Sequence, residues 1–487
     1  MSKPTLDPKI GPSRALKGLA GAALVALTAG CAVGPDFHRP AAPAVSGYLP
    51  PSAGEAALDD VRVGAQVSAE WWTLFKSPAL NALVAQALKA NPDLQAARAA
   101  LRAAQETYLA QRGALLPTVD ASYNVTREQA SATPAPPLTS SVNLFTLHTA
   151  QLNIGYTLDV FGGIRRQTES VKAQAEQQRY ETEAAYLTLT TNVVAAAIQE
   201  ASLRDQVEAT QAIIGSDRQV LAIIRRQFEL GQVARADVVA QEALVAQAEQ
   251  TLPPLEKQLA LQRDLIADLT GRFPSDAPAE RVDLATLALP DSLPLSLPSD
   301  LVNQRPDIRA AEANLHAASA LIGVAVANRL PSLTLSANAG GAATRFADLF
   351  NAGNRFWGLA AGVSQPIFEG GALLHRQRAA VAAFDQAGAQ YRSTVLAAFQ
   401  NVADTLQALQ ADARGLDAAT TAQIRTDESL TIARRQLELG QVTGVTVRLA
   451  EQASASARVA RVQAAASRFA DATALFQALG GGWWNRH

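Results

Sequence analysis

None of the 24 prolines falls within residues 138–252 or 367–487, two blocks of 115 and 121 residues. Average usage of about 5% would place roughly 12 prolines there. A proline inside a helix costs about 3 kcal/mol, because it lacks an N–H and its ring meets the preceding turn. Both blocks therefore read as mainly helical, and they are rich in Ala, Leu, Gln, Glu and Arg, with few glycines between Ile164 and Leu230. At 1.5 Å per residue, a helix from Ile164 to Leu230 extends about 100 Å, as does one from Ala372 to Leu439. Neither length suits a compact globule.

The blocks are copies of each other. Arg225-Arg226-Gln227-Phe228-Glu229-Leu230-Gly231-Gln232-Val233 returns as Arg434-Arg435-Gln436-Leu437-Glu438-Leu439-Gly440-Gln441-Val442, eight identities in nine at an offset of 209. Pro92-Asp93-Leu94 through Asn124 aligns without gaps onto Pro306-Asp307-Ile308 through Asn338 at an offset of 214, preserving Leu116-Pro117 as Leu330-Pro331. A period above 200 is far longer than that of solenoid repeats and indicates duplication of a whole half-chain. Shorter helices are expected at 92–115 with 234–269 and at 307–329 with 445–479; end to end, each pair nearly matches its long helix. Pro253-Pro254 should kink the first return helix. The chain thus divides into residues 1–30, 31–90, a first repeat 91–271, a Pro-rich connector 272–304, a second repeat 305–480 and a tail 481–487.

Between the helices of each half the period changes to two. Val119, Ala121, Tyr123 and Val125 alternate with Asp120, Ser122, Asn124 and Thr126, and the duplicate sets Leu333, Leu335, Ala337 and Ala339 against Thr334, Ser336, Asn338 and Gly340. Their partners place Leu152, Ile154, Tyr156 and Leu158, then Trp357, Leu359, Ala361 and Val363, opposite small or polar residues. Such segments of about ten residues fit transmembrane strands with a lipid face and a lumen face, or equally a half-buried soluble hairpin. Four strands cannot close a membrane barrel, since an open edge in lipid leaves unpaired N–H and C=O groups and the smallest single-chain barrels need about eight. On the membrane reading, copies must share the barrel, and three give twelve strands. Phe161 and Phe368 stand at strand-to-helix junctions, where an interfacial aromatic belt or a core residue near a bend fits.

The amino terminus reads as an address. Lys9, Arg14 and Lys17 precede an apolar stretch from Gly18, and small residues lead to Cys31, the sole cysteine. This is the order of a secretory signal, with 1–30 removed, and the stretch is too short to span a bilayer. No uninterrupted apolar run of about 18 residues follows. With 42 Lys+Arg against 44 Asp+Glu and 48% apolar residues, the chain is neither a strongly basic nucleic-acid binder nor an acidic disordered chain. The five histidines show neither metal-ligand nor triad spacing, and no phosphate-binding loop occurs. An enzyme is therefore not expected, nor a cofactor beyond lipid.

Cys31 with Val33-Gly34-Pro35-Asp36-Phe37-His38-Arg39-Pro40, then Trp71-Trp72-Thr73-Leu74-Phe75, Asn91-Pro92-Asp93-Leu94, Leu158-Asp159-Val160-Phe161-Gly162-Gly163, Arg305-Pro306-Asp307-Ile308 and Ala478-Leu479-Gly480-Gly481-Gly482-Trp483 occur in this order. In this the chain resembles the outer-membrane factor lipoproteins of tripartite efflux systems, the TolC-type channels of the NodT/OprM group. The resemblance implies a mainly α fold with a membrane β part: a homotrimer whose twelve-stranded β-barrel, four strands per chain, continues into a long α-helical barrel. It implies a passive, gated exit duct for drugs or other small molecules in a Gram-negative outer membrane, with a lipid on Cys31. Its partners would be a periplasmic membrane-fusion adaptor and an inner-membrane transporter, commonly of the resistance-nodulation-division class. The adaptor-binding tips carry over to Arg226, Leu230 and Gly231 and to Arg435, Leu439 and Gly440. For the periplasmic gate the expected residues are Asp237, Val445, Thr446 and Leu449; where relatives often have Asp in the second return helix, this chain has Thr446, so a mainly apolar constriction is expected. The alternative is a lipid-anchored periplasmic coiled-coil scaffold or adaptor.

Overall fold

A computed structural model of the chain describes residues 32–45, 47–50, 61–129, 144–290 and 292–486. The expected signal segment 1–30 and Cys31 lie outside the described residues. In chain order the elements are β1 (Val61–Val63), α1 (Pro78–Ala90), α2 (Pro92–Gly113), β2 (Thr118–Gln129), β3 (Leu144–Leu158), α3 (Gly163–Glu229), α4 (Arg235–Leu269), β4 (Leu293–Leu295), α5 (Pro298–Gln304), α6 (Pro306–Ala327), β5 (Ser332–Ala343), β6 (Arg355–Ser364), α7 (Ala372–Glu438) and α8 (Gly444–Ala478). Each long helix, α3 and α7, has 67 residues and each return helix, α4 and α8, has 35. Both Pro253 and Pro254 lie inside α4, which continues through them. Among the described residues, α6 is the one helix apolar and long enough to cross a membrane by composition, and half of its apolar window is buried.

The chain forms two compact units. The first, from residues up to 39, 102–177 and 312–390, holds a four-stranded antiparallel sheet in the order β2-β3-β5-β6. Its register aligns Val119 with Ile154, Ala337 and Leu359, and aligns Asp120 with Asn153, Asn338 and Gly358. Paired residues in a sheet share a face, so in these rows, at the half of the sheet nearer the helices, one face is apolar across all four strands and the other is polar. Asn153 Nδ2 donates to Asp120 Oδ2 at 2.9 Å and to Ser122 Oγ at 3.2 Å along the polar face. Apolar side chains lie open rather than covered: Trp357 and Leu359 are each 76% exposed. Among the described residues, β2 and β6 each pair on one side only.

A strap of residues just after Cys31 is bound to this unit. Val33 N donates to the Phe161 carbonyl, while buried Arg166 donates to the Val33 carbonyl at 3.1 Å, to Asp36 Oδ1 at 2.7 Å and to Glu169 at 2.8 Å. The His316 ring pairs with Glu169 at 2.8 Å and stacks on Phe37 at 4.4 Å, and Arg39 meets Glu312 at 2.9 Å. Gly34, at φ 95°, lies against the backbone of Gly323 with no room for a Cβ. Phe161 is half-buried near the start of α3, whereas Phe368 is fully open.

The second unit, residues 40–101, 178–311 and 391–487, has its core around Trp71, Phe75 and Phe476, with Trp71 stacked on Phe476 at 5.1 Å. The short parallel pair β1–β4 lies here, as does α1, which Ser77 caps by accepting from Leu80 N. The expected end-to-end stacking is present twice. Asn91 Nδ2, at the head of α2, donates to the Leu269 carbonyl at the end of α4. Arg305, at the head of α6, likewise donates to the Ala478 carbonyl at the end of α8, at 3.0 Å. Within the unit the long helices lie side by side in the order α4-α3-α8-α7: Arg218–Glu249 joins the first two, Gln463–Gln206 the middle pair and Arg461–Gln423 the last pair.

Candidate functional site: the two helix reversals

At 209 residues apart, two reversals carry the residues singled out for docking and gating, both in the second unit. α3 ends at Glu229 because Leu230 is followed by Gly231 at φ 74°, a left-handed conformation that costs a residue with a Cβ about 1–2 kcal/mol. Gly231 N donates to the Phe228 carbonyl and Gln232 N to the Gln227 carbonyl, both at 2.9 Å, the paired bonds of a Schellman cap. α7 ends identically: Gly440 at φ 67° donates to Leu437 and Gln441 donates to Gln436. No atom lies within 4 Å of a Cβ built on either glycine, so backbone conformation alone demands glycine there.

Around these turns the outward side chains are unpacked. Leu230 and Leu439 are each 57% exposed, and Arg226 and Arg435 are exposed and paired within their own helices, with Glu229 at 2.9 Å and Glu438 at 2.7 Å. Exposed ion pairs of this kind contribute little stability. Each reversal thus presents a leucine and an arginine beside a glycine turn, free for a partner to contact.

The expected gate residues divide. Asp237 Oδ2 accepts from the backbone N–H of Ala234 at 2.9 Å, so its carboxylate caps the first turn of α4, where the helix dipole favours a negative charge. Thr446 occupies the same position of α8, with its hydroxyl 3.3 Å from that of Thr443. Val445 is half-buried, while Leu449 is 54% exposed and Thr446 is open. The acidic group is therefore committed to its own helix, and the second reversal offers an aliphatic surface.

One residue that the sequence reading did not single out ties the second reversal together. Glu451 accepts from Arg434 of α7 at 3.0 Å, from Arg448 of its own helix at 2.6 Å and from Ser216 of α3 at 3.4 Å. Burial opposes its charge, but the hydrogen bonds and charges of Arg434 and Arg448 outweigh burial and hold its carboxyl below the usual glutamate value of 4.5. The duplicate pair in the first reversal, Arg225–Glu242 at 2.6 Å, is more exposed and has Val239 where the second has Arg448. The signal was present in the sequence: the 209-residue offset that aligns the Arg-Arg-Gln strings also aligns Glu242 with Glu451.

A family model described as outer membrane efflux protein matches residues 83–272 and 297–481. A pyoverdine export outer membrane protein of Pseudomonas putida, OpmQ, is 30% identical over 446 residues, covering 90% of this chain and 92% of that protein. A solvent efflux pump outer membrane protein of Pseudomonas putida, SrpC, is 31% identical over 461 residues, covering 93% and 96%. The solved structure of the outer-membrane channel OprN superposes with a TM-score of 0.82 at 27% identity, covering 93% of this chain and all of that one.

Proposed function

The chain belongs to the outer membrane efflux protein family, and from that premise we propose that three copies close one outer-membrane pore, joined through a periplasmic adaptor to an inner-membrane transporter. The four-stranded sheet with one apolar face and two unpaired edges carries this reading. Both edges would leave backbone groups unpaired in lipid, at several kcal/mol each, and a ring of copies pairs β6 of one with β2 of the next. The outer helices of the second unit support it: Val239, Leu244, Leu261 and Leu265 of α4, and Leu396, Ile424 and Ile432 of α7, are exposed apolar residues. They offer apolar surface for α7 of one copy to meet α4 of the next.

In this reading the duct is passive, since the inner-membrane partner supplies the energy, and that partner is of the resistance-nodulation-division class. The reversals at Arg226, Leu230 and Gly231 and at Arg435, Leu439 and Gly440 receive the adaptor. Val445, Thr446 and Leu449 narrow the resting aperture by apolar contact, with Asp237 acting as a cap rather than as the closing charge. Cys31 carries the lipid. The cargo is a small molecule. Purified protein reconstituted into a planar bilayer tests this: a duct gives discrete conductance steps, and a periplasmic scaffold gives none. Thr446→Ala with Leu449→Ala should raise the resting conductance, and an unchanged value removes those residues from the gate.

A further inference from the structure

Charged side chains on the four strands are sorted by face. Asp120 and Glu128 share the polar face, which carries no Lys, Arg or His, whereas Arg127 and Arg355 lie on the apolar face. Both arginines stand at the end of the sheet farthest from the helices. Along β6, Val363 and Arg355 are eight positions apart, which at about 3.3 Å per residue and a tilt near 40° is roughly 20 Å of height. An outward apolar band is about 25 Å tall, so these cations mark its outer limit.

The same rim is aromatic. Arg355 shares a register row with Tyr123, Ala150 and Gly341. Tyr123 Oη lies 2.8 Å from His148 Nδ1, and Phe346 packs edge-on against both rings, at 5.8 and 6.2 Å. The turn between β5 and β6 folds over this side, for a Cβ on Gly341 would meet the backbone of Leu349 and the ring of Phe350. The fold exposes Phe346 and Phe350 beside Arg345. The Arg355 guanidinium is held upward by donating from Nε to the Phe350 carbonyl at 2.9 Å, which leaves its other N–H groups available. The acidic group of the turn, Asp348, is engaged by Asn351 Nδ2 at 3.0 Å, and Glu128 points to the opposite face. Residues 130–143, which connect β2 to β3, contain no charged side chain.

Three guanidiniums and open aromatic rings at the outer end of a lipid-facing surface match a headgroup that is both phosphorylated and built of sugar. Guanidinium binds phosphate through paired, charge-assisted hydrogen bonds, and aromatic rings occupy the interfacial level. We propose that Arg127, Arg345 and Arg355, with Tyr123 and Phe346, dock the phosphorylated sugar headgroup of an outer-leaflet glycolipid. This rests on the outer-membrane channel reading above.

The test measures lipid retained by the full-length protein in detergent, using native mass spectrometry with bisphosphorylated lipid A, dephosphorylated lipid A and phosphatidylglycerol. The wild type should hold bisphosphorylated lipid A at about tenfold higher occupancy than either other lipid. Combined Arg127→Gln, Arg345→Gln and Arg355→Gln should abolish that preference, and the corresponding Lys variant should keep part of it. Single Arg127→Gln and Arg355→Gln variants, each expected to lose a fraction, serve if the triple variant fails to assemble. Equal retention of the two lipid A forms, equal retention of phosphatidylglycerol, or indifference to the Gln variants overturns the proposal. Conductance of the same preparations separates the two claims: if wild type conducts but shows no lipid preference, only the docking inference fails; if it never conducts, the channel reading fails.

Discussion

Glu451 joins three helices through one carboxylate, and its charge state decides whether they stay joined. Because its folded-state pKa lies below 4.5, the stability it contributes is present above that value and is lost as pH falls through the depressed value. Glu451→Gln should therefore reproduce at pH 7 what acid does to the wild type: faster hydrogen exchange in residues 430–455 and a larger resting conductance. Equal exchange in variant and wild type at pH 7 would show the ion pairs to be idle. Asp471 behaves in the opposite sense. Burial, then the neighbouring Asp412 carboxyl, push it up to about 6, and Asp412 Oδ2 is itself buried without a hydrogen-bond partner. A raised carboxyl pKa favours the folded state when protonated, so the pair costs stability as pH rises through about 6. Asp412→Asn should raise stability at pH 8 by on the order of 1 kcal/mol after allowing for solvent screening, seen as a higher melting temperature, and leave it unchanged at pH 4.

Element by element, the strands offer the sharpest contrast between faces. Leu359 lies in the middle of the apolar face and Thr334 on the polar one. An arginine on the lipid face near the midplane costs about 2–4 kcal/mol. Leu359→Arg should therefore reduce the yield of folded, membrane-inserted protein, and Thr334→Arg should be tolerated; equal yields would remove the assignment of faces. These elements were legible in the sequence because proline and periodicity mark them directly. Leu116-Pro117 and Leu330-Pro331 stand in the four-residue links between helices that end at Gly113 and Ala327 and strands that begin at Thr118 and Ser332, and Gly231 and Gly440 stand where the long helices stop. What was not legible depends on distant partners. α1 is short, and its start is fixed by a Ser77 cap. β1 and β4 are three residues each and pair across more than 200 positions. Arg166, Glu169 and His316 look like ordinary helix-surface residues until the strap is seen between them. Glu451 has the same character: its value lies in which arginines reach it. Pro253 and Pro254 lie inside α4, a single helix from Arg235 to Leu269, as the expected return helix requires.

For the whole molecule, the proposed ring follows from the edges of β2 and β6, which no other described strand pairs. A cysteine at Ser122 on β2, paired in turn with cysteines at Gly358, Ala360 or Gly362 on β6 of the same chain, should give crosslinked trimers for at least one pair, and none with either cysteine alone. Crosslinks that stop at dimers would fix a different stoichiometry. The duplication gives such a ring six similar reversals of two alternating kinds. One kind has Asp237 as its cap and the open Arg225–Glu242 pair; the other has Thr446 and the half-buried Glu451 junction. An adaptor docked on such a ring, as proposed, would meet two chemistries in strict alternation. The strap sets a different limit. Ala32 backs directly onto Gly162, and Val33 is bonded to Phe161 and Arg166. Residue 31 is joined to that anchored segment by a single peptide link, about 3.8 Å between α-carbons. Acyl chains borne there would be tethered at the foot of the sheet with almost no slack, acting less as a mooring line than as a rivet that sets how deep the protein sits.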